Sequence, residues 1–342
     1  MDTTCLFPLL GAAFEPGHCE EIVEQYLLEG HHECHCIAES ELNFLRGFEK
    51  PTKLELQMLT QSSDPSVRLC AQYFHAFSLL FDNKIAESHT VFLDIERGAA
   101  QYKANGSYDV STYFGKMYAF VAQSAQITTH LDLLGARSFQ PLRALCSLPI
   151  PLQMYSGYCA AYAAHVEQRY EYVLGIIDSF LALAEQKYPI AEAYLHMLAA
   201  IEYICLHKVD DARREFERTV ELILPDRLIS IPSIYHRMLS GLVEVCMRDT
   251  YPDEYHQIVD ASSRYYTVRK KLMKMYMVNV PEFGLSSVEW SIATLASRGW
   301  KNADIASYMG VSLGTVKRVL SIVFNKLSVT KRSQLKAMLS SQ

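Results

Sequence analysis

The chain has 342 residues, of which half are hydrophobic and a fifth are charged, and its formal net charge is −6. This composition is typical of a folded protein and excludes a disordered chain. No stretch reaches the roughly 20 apolar residues that a membrane span needs, and Asp2 stands where a signal peptide would have Lys or Arg. We therefore expect a cytoplasmic protein with no membrane partner.

Charge is unevenly distributed along the chain. Residues 285–342 contain eight basic and two acidic residues, whereas residues 1–284 contain 24 basic and 36 acidic residues. Opposite net charges in separate segments indicate separate tasks. The basic C-terminal segment is therefore the candidate to bind a polyanion.

A cluster of His and Cys residues lies near the N-terminus, in the stretches GHCEE and GHHECHCIAE. Thiolates and imidazoles are the ligands that Zn²⁺ and Cu⁺ prefer, so His31, His32, Cys34 and Cys36 are candidate metal ligands. The alternative is that they are ordinary loop and helix-cap residues, because their spacing matches no zinc-finger pattern. No carboxylate base or nucleophile accompanies the cluster, so we expect no enzyme. The nine cysteines form no regular framework, so we also expect reduced thiols.

The chain is almost continuously helical by pattern from about Pro65 to Met277, with apolar residues at three- and four-residue spacing. Polar breaks about 40 residues apart predict turns between paired helices near Asp82-Asn83, Gln123-Ser124, Gln168, Lys208 and Arg248-Asp249. Such helical hairpins stack on one another, because none can bury its apolar face alone. The stack leaves a concave surface for a partner.

The clearest single hairpin is predicted from Ala193 to Pro225. Tyr203 lies in its first helix, the segment HKVDDA forms its turn, and Ala212 and Phe216 lie along its second helix. This spacing of small and aromatic residues resembles a tetratricopeptide repeat. The resemblance covers one unit of several, and a generic helical bundle is the alternative.

A linker is predicted at residues 279–284, where a basic helix end is followed by a proline and a glycine in MVNVPEFG. This division gives a helical repeat region over residues 1–278 and a separate unit over residues 285–342. We therefore expect an all-α chain, in which an array of helical hairpins is followed by a small helical domain.

Two short helices around a tight turn are predicted within NADIASYMGVSLGTVKRVL. Ala306, Gly310 and Val316 have the spacing of a helix-turn-helix. A small residue allows two helices to cross closely, glycine accepts the positive φ of a short turn, and an apolar residue anchors the next helix. Ser286 or Ser287 is the expected cap of the helix that precedes this unit.

The ungapped string LSSVEWSIATLASRGWKNADIASYMGVSLGTVKRVLSIVFNKLSVTKRSQL resembles the LuxR-type (GerE/FixJ-like) DNA-binding domain. The features that match include Glu289, Gly299, Ile305-Ala306, Thr315-Val316-Lys317 and Lys326-Leu327. The resemblance implies a four-helix domain whose third helix recognises DNA and whose fourth helix, from Thr330 to about Leu339, pairs two copies. Departures from the family's usual residues are Val288 for Arg, Val319 for His, Ser321 for Asn and Ser328 for Gly.

Candidate DNA contacts follow from the chemistry of the residues at matching positions. Lys317 and Arg318 can reach phosphates or guanine edges, and Ser321 is short enough to lie against a base edge. Residues at helix ends and flanks are better suited to phosphates, namely Thr315, Ser312, Lys301 and Lys326. Asn302, which we also expect to cap the second helix, and Arg332 complete the set.

Two plainer interpretations apply to these residues and their neighbours. Any one of the Lys and Arg residues can be a solvated surface charge instead of a DNA contact. Trp290 and Trp300, the only two tryptophans of the chain, are expected to pack within the domain and not to stack on bases.

The sequence therefore predicts a sequence-specific DNA-binding transcriptional regulator, with a C-terminal recognition helix in the major groove and helical repeats that sense a ligand or protein partner. We expect it to bind double-stranded DNA as a homodimer on a pseudo-palindromic operator, with RNA polymerase as a further candidate partner and no cofactor. The alternative is a helical-repeat interaction adaptor with a basic helical tail. The helical pattern and the lack of a GxxxxGK[ST] run argue against a phosphoacceptor receiver and a nucleotide-binding ATPase.

Overall fold

A computed structural model describes residues 5–48, 54–104, 107–109, 111–131, 148–278 and 283–339. Within these ranges the chain is helical apart from one antiparallel pair of two-residue strands, β1 (Lys103–Ala104) and β2 (Ser107–Tyr108). The expected all-α fold class is confirmed. None of the described helices combines the length and the apolar character that crossing a membrane requires.

The helices fall into a long N-terminal region and four C-terminal helices. Those of the N-terminal region are α1 (Cys19–Leu28), α2 (His32–Leu45), α3 (Leu54–Leu59), α4 (Pro65–Phe81), α5 (Ile85–Ala99), α6 (Tyr113–Thr129), α7 (Ile150–Val166), α8 (Tyr170–Leu181), α9 (Pro189–Cys205), α10 (Val209–Ile223), α11 (Ser230–Ile234), α12 (Leu242–Met247) and α13 (Pro252–Met275). The C-terminal helices are α14 (Ser287–Ser297), α15 (Asn302–Met309), α16 (Leu313–Leu327) and α17 (Ser333–Leu339).

One three-residue turn recurs in four pairs of helices. Its middle residue is left-handed, with φ of +80° at Gly30, +63° at Asn83, +61° at Gln168 and +62° at His207. In each turn the amide of the next residue donates a hydrogen bond of 2.8 to 3.1 Å to a carbonyl five residues earlier. This Schellman geometry satisfies carbonyls left free at the end of the first helix and reverses the chain. The pairs α1–α2, α4–α5, α7–α8 and α9–α10 are therefore hairpins of one kind.

Four of the five predicted turns are confirmed, because they lie between helices near Asp82-Asn83, Gln168, Lys208 and Arg248-Asp249. The turn predicted at Gln123-Ser124 is wrong, since both residues are buried inside α6. Ser124 Oγ donates a hydrogen bond of 2.9 Å to the carbonyl of Phe120, one helical turn earlier. The hydroxyl is thereby satisfied within the helix and provides no reason for a turn.

Helices α9 and α10 form the hairpin predicted from Ala193 to Pro225. In α10 the side chains of Ala212, Phe216 and Ile223 are fully buried, whereas charged residues occupy the opposite face. The buried face packs on α9, so the amphipathic pattern of α10 is what joins the two helices.

Two buried carboxylates attach the N-terminal segment to the helical region. The Glu41 carboxylate accepts hydrogen bonds from the amides of Leu9 and Leu10 at 2.8 and 3.0 Å. Asp226 accepts one from the amide of Cys19 at 2.9 Å. Burial raises the pKa of Glu41 to about 8, although both of its hydrogen bonds act in the opposite direction. Glu41 therefore anchors the segment at a position where its own ionisation is disfavoured.

Cys5 and Cys34 are joined by a disulfide, with their Cα atoms 5.1 Å apart. The expectation of reduced thiols is wrong for this pair. The N-terminal segment packs against the first turn of α2, which brings together two cysteines that are 29 residues apart in sequence. The other described cysteines are free thiols, at positions 19, 36, 70, 159, 205 and 246.

The C-terminal helices pack on the helical region through α14 and α15. Arg298 Nη1, just after α14, donates a hydrogen bond of 2.8 Å to Ser240 Oγ. Gly241, with φ of +95°, permits a close approach, because a Cβ there would lie 2.5 Å from Met309 Sδ. Of the predicted linker at residues 279–284, only Phe283 and Gly284 belong to the described residues.

Candidate nucleic-acid interface

A reciprocal cap begins the C-terminal unit at α14. Ser286 Oγ accepts a hydrogen bond from the amide of Glu289 at 3.3 Å, and the Glu289 carboxylate accepts one from the amide of Ser286 at 2.7 Å. Of the two serines predicted as caps, Ser286 is therefore the cap. Lys326 Nζ, near the end of α16, donates to the same carboxylate at 2.7 Å and to the carbonyl of Gly284 at 2.8 Å. Lys326 thus holds the start of α14 against α16.

The predicted helix-turn-helix is formed by α15, a turn and α16. Gly310 has φ of +64°, in the region that favours glycine, and Ala306 and Val316 are buried on either side of it. The turn closes with a hydrogen bond of 3.0 Å from the amide of Val311 to the carbonyl of Ala306. Ser312 then caps α16 by accepting from the amide of the third residue after it at 3.0 Å.

The side of α16 opposite its core carries the predicted recognition residues. Val316, Val319 and Val323 are buried, whereas Lys317, Arg318 and Ser321 are exposed. Ser321 Oγ donates to the carbonyl of Lys317 at 3.0 Å. Two cations and a hydroxyl therefore share one solvent-facing surface of a helix that a major groove is wide enough to admit.

The residues predicted to contact phosphate at the starts of α15 and α16 differ in solvent exposure. Lys301 is exposed at the N-cap position of α15, and Ser312 is exposed at that of α16. Thr315, a third candidate for phosphate, is half-buried, and its Oγ1 lies 2.9 Å from Ser312 Oγ in a hydrogen bond. Free amides at both helix starts lie next to exposed polar side chains, an arrangement suited to phosphate.

Arg332 is part of the domain's internal framework. Its Nε donates to the carbonyl of Ala296 at 3.1 Å, its Nη1 to Asn302 Oδ1 at 2.6 Å, and its Nη2 to the carbonyl of Trp300. The prediction that Asn302 caps α15 is wrong, because the N-cap position belongs to Lys301 and the Asn302 side chain accepts from Arg332. Arg332 and Asn302 therefore join α14, α15 and the start of α17.

An exposed apolar residue at the start of α16 was not predicted. Leu313 is 43% exposed and lies one turn before Lys317 on the same side of the helix. Its three-residue spacing from Val316 favours a core position, but the first residue of the helix projects beyond the packed helices. An exposed Leu next to a cation is suited to the methyl group of thymine.

The fourth helix is shorter than predicted. It begins at Ser333 and not at Thr330. The Gln334 side-chain oxygen accepts hydrogen bonds from the backbone amides of Thr330 and Lys331, both at 2.9 Å, and so caps the start of the helix. Leu335 is buried where α17 packs on α14, and Lys336 is exposed on the outer side.

Both tryptophans are buried in packing contacts, as expected, with 7% exposure for Trp290 and 3% for Trp300. Their partners include residues of the helical region. The Arg237 guanidinium lies 4.3 Å from the centre of the Trp290 ring system, and the ring of His207 stacks on Trp300. The tryptophans therefore join the two parts of the chain and are not available to bases.

The proposed metal ligands near the N-terminus do not form a site. Cys34 is bonded to Cys5, Cys36 is buried in the core, and His31 and His32 are exposed at the start of α2. The alternative, that these are ordinary residues of a turn and a helix start, describes them better.

One other group in the described part of the chain has ligand atoms close enough for a metal ion. His165, Glu202 and Cys205 offer atoms within 4.8 Å of one another, at the ends of α7 and α9. His165 Nδ1 lies 2.5 Å from Glu202 Oε1, so these two candidate ligand atoms already bond to each other. Burial raises the pKa of Cys205 to about 11, which favours the neutral thiol over the thiolate that a metal would bind.

Comparison with known proteins identifies the C-terminal unit. The family GerE, described as bacterial regulatory proteins of the luxR family, matches residues 284–339. No curated protein sequence and no solved structure matches the chain. The match covers α14 to α17, including the turn at Gly310 and the exposed residues of α16. Residues 284–339 are therefore a LuxR-type DNA-binding domain, and the chain is a DNA-binding regulator in which this domain follows a long helical region.

Proposed function

We propose that the chain is a sequence-specific transcriptional regulator that places α16 in the major groove of its operator. The observation that carries this proposal is the exposed surface of α16, where Lys317, Arg318 and Ser321 face solvent within a LuxR-type domain. Arg318 is suited to a bidentate contact with guanine, Lys317 to phosphate or guanine, and Ser321 to a base edge. Leu313 adds an apolar contact that discriminates thymine.

We assign the remaining predicted contacts to two groups. Lys301 and Ser312, exposed at the starts of α15 and α16, bind phosphates and set the register of the protein on DNA. Lys326, Arg332 and Asn302 hold the helices in position by hydrogen bonds within the domain. Thr315 holds the Ser312 side chain in place by a hydrogen bond and does not itself contact DNA.

We propose that two copies bind a pseudo-palindromic operator through their α17 helices. The buried side of α17 is anchored by Leu335 on α14, which leaves the side with Lys336 for a second copy. Two recognition helices related by a two-fold axis would then read two half-sites. Because such a regulator works on chromosomal DNA, we place it in the cytoplasm, with RNA polymerase as a further partner.

We propose that the region of residues 1–278 receives the signal. Its four hairpins with a common turn support a tetratricopeptide-like array, a class of structure that binds partners on a stacked helical surface. The domain boundary then falls between α13 and α14, at the predicted linker. The signal is a ligand or protein partner of this region, and its effect reaches DNA through the packing of α14 and α15 on the helical region.

The test is a gel shift with duplexes enriched by the full-length protein from a random-sequence pool. Lys317→Ala combined with Arg318→Ala should weaken binding about 30-fold, since a lost guanine contact costs roughly 1 to 3 kcal/mol. The slope of log affinity against log salt should fall by about 1, for the phosphate contact of Lys317, because a contact of Arg318 with a guanine edge neutralises no phosphate.

The matched control removes two exposed cations from the helical region, Lys84→Ala with Arg264→Ala, and should leave affinity and salt slope unchanged. Equal retention of DNA by the two double variants would contradict the proposal. It would favour the interaction adaptor, in which the basic domain binds an acidic protein.

A further inference from the structure

A cavity of about 600 Å³ lies between the last helix of the helical region and the first turn of the DNA-binding domain. One wall is α13, where Ser263, Thr267, Lys270 and Lys274 recur at three- and four-residue spacing along one side. The opposite wall is the chain from Phe283 to Ser287 together with Trp290. Its volume lies in the range of about 300 to 1,000 Å³ that is usual for small-molecule sites.

The lining of this cavity is strongly cationic. Five basic side chains line it, and the described lining residues include no Asp or Glu, the basic residues being Arg237, Arg269, Lys270, Lys271 and Lys274. Like charges at this spacing repel one another when no anion lies between them. The cavity therefore has the electrostatic character of an anion site.

Several of these cations are held in fixed positions. The Arg237 guanidinium lies 3.8 Å from the centre of the Tyr266 ring and 4.3 Å from that of Trp290. Arg269 is buried and its Nε donates to the carbonyl of Thr129 at 2.9 Å. Burial lowers the pKa of Arg237, and the charge of Arg269 lowers it further.

Lys274, in the lining, and Glu244, a buried acid that contacts two lining residues, complete the arrangement. Lys274 is exposed, and its side chain makes no ion pair or hydrogen bond with another described residue. Glu244 lies behind the lining, where Ser287 Oγ donates to it and His236 Nε2 lies 3.3 Å from its carboxylate. Lys274 therefore remains available to contact a bound anion.

We propose that this cavity binds a small anionic effector that carries at least two negative charges, on phosphate or carboxylate groups. The effector contacts α13 and the first turn of α14 together, so it stabilises the packing of the DNA-binding domain on the helical region. Its effect on DNA affinity rests on the proposed regulator function, because coupling between two sites requires that both ligands bind. Binding of the anion itself does not depend on that function.

The experiment uses the fluorescence of the full-length protein. Trp290 lines the cavity, and Trp300 is the only other tryptophan of the chain. Titration with inorganic pyrophosphate and, separately, with citrate should give a saturable change in emission, and the tighter of the two identifies phosphate or carboxylate as the preferred group. Lys274→Gln should weaken binding about ten-fold, because a charge-assisted hydrogen bond is lost. Arg264→Gln, which removes an exposed cation of the same helix outside this cavity, should change nothing.

Three results would overturn the inference. The first is the absence of saturation with both anions, and the second is equal weakening by Lys274→Gln and Arg264→Gln. The third is loss of anion binding in the variant with Lys317→Ala and Arg318→Ala, which would place the anion on the DNA surface.

The proposed regulator function is tested separately, by gel shifts without added anion. A protein that binds pyrophosphate in the cavity but retains no DNA would contradict the regulator function alone. If no anion saturates and Lys274→Gln weakens DNA retention, the lining cations contact the DNA backbone, and the effector site is wrong.

Discussion

The ring of Trp300 stacks on that of His207, with ring centroids 4.8 Å apart and planes inclined by 20°. Trp300 precedes α15 in the DNA-binding domain, and His207 is the left-handed residue in the turn of the α9–α10 hairpin. A hairpin turn is therefore one of the surfaces against which the DNA-binding domain packs. This contact makes the helical region and the DNA-binding domain sensitive to each other's position.

We predict that His207→Asn loosens this packing. Asn accepts the left-handed conformation that the turn requires, so the substitution removes the ring without straining the backbone. Loss of the stack should lower the free energy of unfolding by about 1 kcal/mol in urea titration. Hydrogen exchange should become faster in α14 and α15. Gln168→Asn, at the same position of the α7–α8 turn, should leave exchange in both helices unchanged.

Ser328→Gly should stabilise the DNA-binding domain. Ser328 ends α16 in the left-handed region, with φ of +53°, where an L-residue costs roughly 1 kcal/mol and glycine does not. Thermal unfolding should therefore show a gain of about 0.5 to 1 kcal/mol. Ser297→Gly, in the last helical position of α14, should be destabilising instead. A loss of stability in Ser328→Gly would contradict the prediction. It would show that contacts of the Ser328 side chain stabilise the folded domain by more than the left-handed backbone destabilises it.

Arg332→Ala should lower the stability of the domain without removing a contact with DNA. The substitution removes three hydrogen bonds that join α17 to Ala296, Asn302 and Trp300. A loss of about 1 to 3 kcal/mol in the free energy of unfolding is expected, because partly buried acceptors are left without donors. At a temperature where the variant is folded, its salt slope of DNA binding should equal that of the unchanged protein. A slope reduced by about 1 would instead make Arg332 a phosphate contact.

The buried carboxylate of Glu41 should make stability depend on pH. Its pKa is raised from 4.5 to about 8, chiefly by burial, so the folded chain holds this proton more tightly than the unfolded chain does. The contribution of Glu41 to the free energy of unfolding is therefore greatest at low pH. It decreases as the pH rises from about 4.5 to about 8, by at most about 1.4 kcal/mol per unit, and is constant above.

Glu41→Gln should remove this part of the pH dependence, as measured by urea titrations at pH 5.5, 6.5 and 7.5. The amide cannot ionise, and its oxygen can still accept from one of the amides of Leu9 and Leu10. Glu24→Gln, an exposed carboxylate of α1, serves as the control. If the free energy of unfolding changed equally with pH in the unchanged protein and in Glu41→Gln, Glu41 would be ionised over this whole pH range.

Removal of the disulfide should destabilise the helical region. The bond between Cys5 and Cys34 closes a loop of 29 residues, for which chain entropy predicts about 3 to 4 kcal/mol. Dithiothreitol should lower the free energy of unfolding of the unchanged protein by this amount. Cys5→Ser should show the same loss with no further response to the reductant, whereas Cys246→Ser should respond as the unchanged protein does. No response in the unchanged protein would mean that the bond is absent in solution.

Much of the DNA-binding domain could be predicted because its signals are local. The small residue at Ala306, the glycine at 310 and the apolar residue at Val316 lie within a dozen residues of one another. The caps at Ser286 and Ser312 likewise act over three residues. The turn at Gly310, these two caps and the exposed side of α16 depend on such short-range geometry and could be predicted, whereas the cap of α15 and the start of α17 were predicted wrongly.

The contacts that join distant segments could not be predicted in the same way. Nothing near Arg332 in sequence indicates that its donors meet Asn302, and nothing near Lys326 indicates Gly284. The interior position of Gln123 was missed for a related reason, since its burial within α6 follows from the helices packed around it and not from its own polarity.

A mainly helical fold and a C-terminal LuxR-type domain with exposed cations on α16 could thus be predicted from local patterns of the sequence. Three features became visible only in the folded chain: Trp300 packs on His207, Cys5 is bonded to Cys34, and basic side chains of α13 face the first turn of α14 across a cavity. The physical reason is that helix propensity and capping act within one or two turns, whereas burial and charge pairing act between whichever segments the packing brings together.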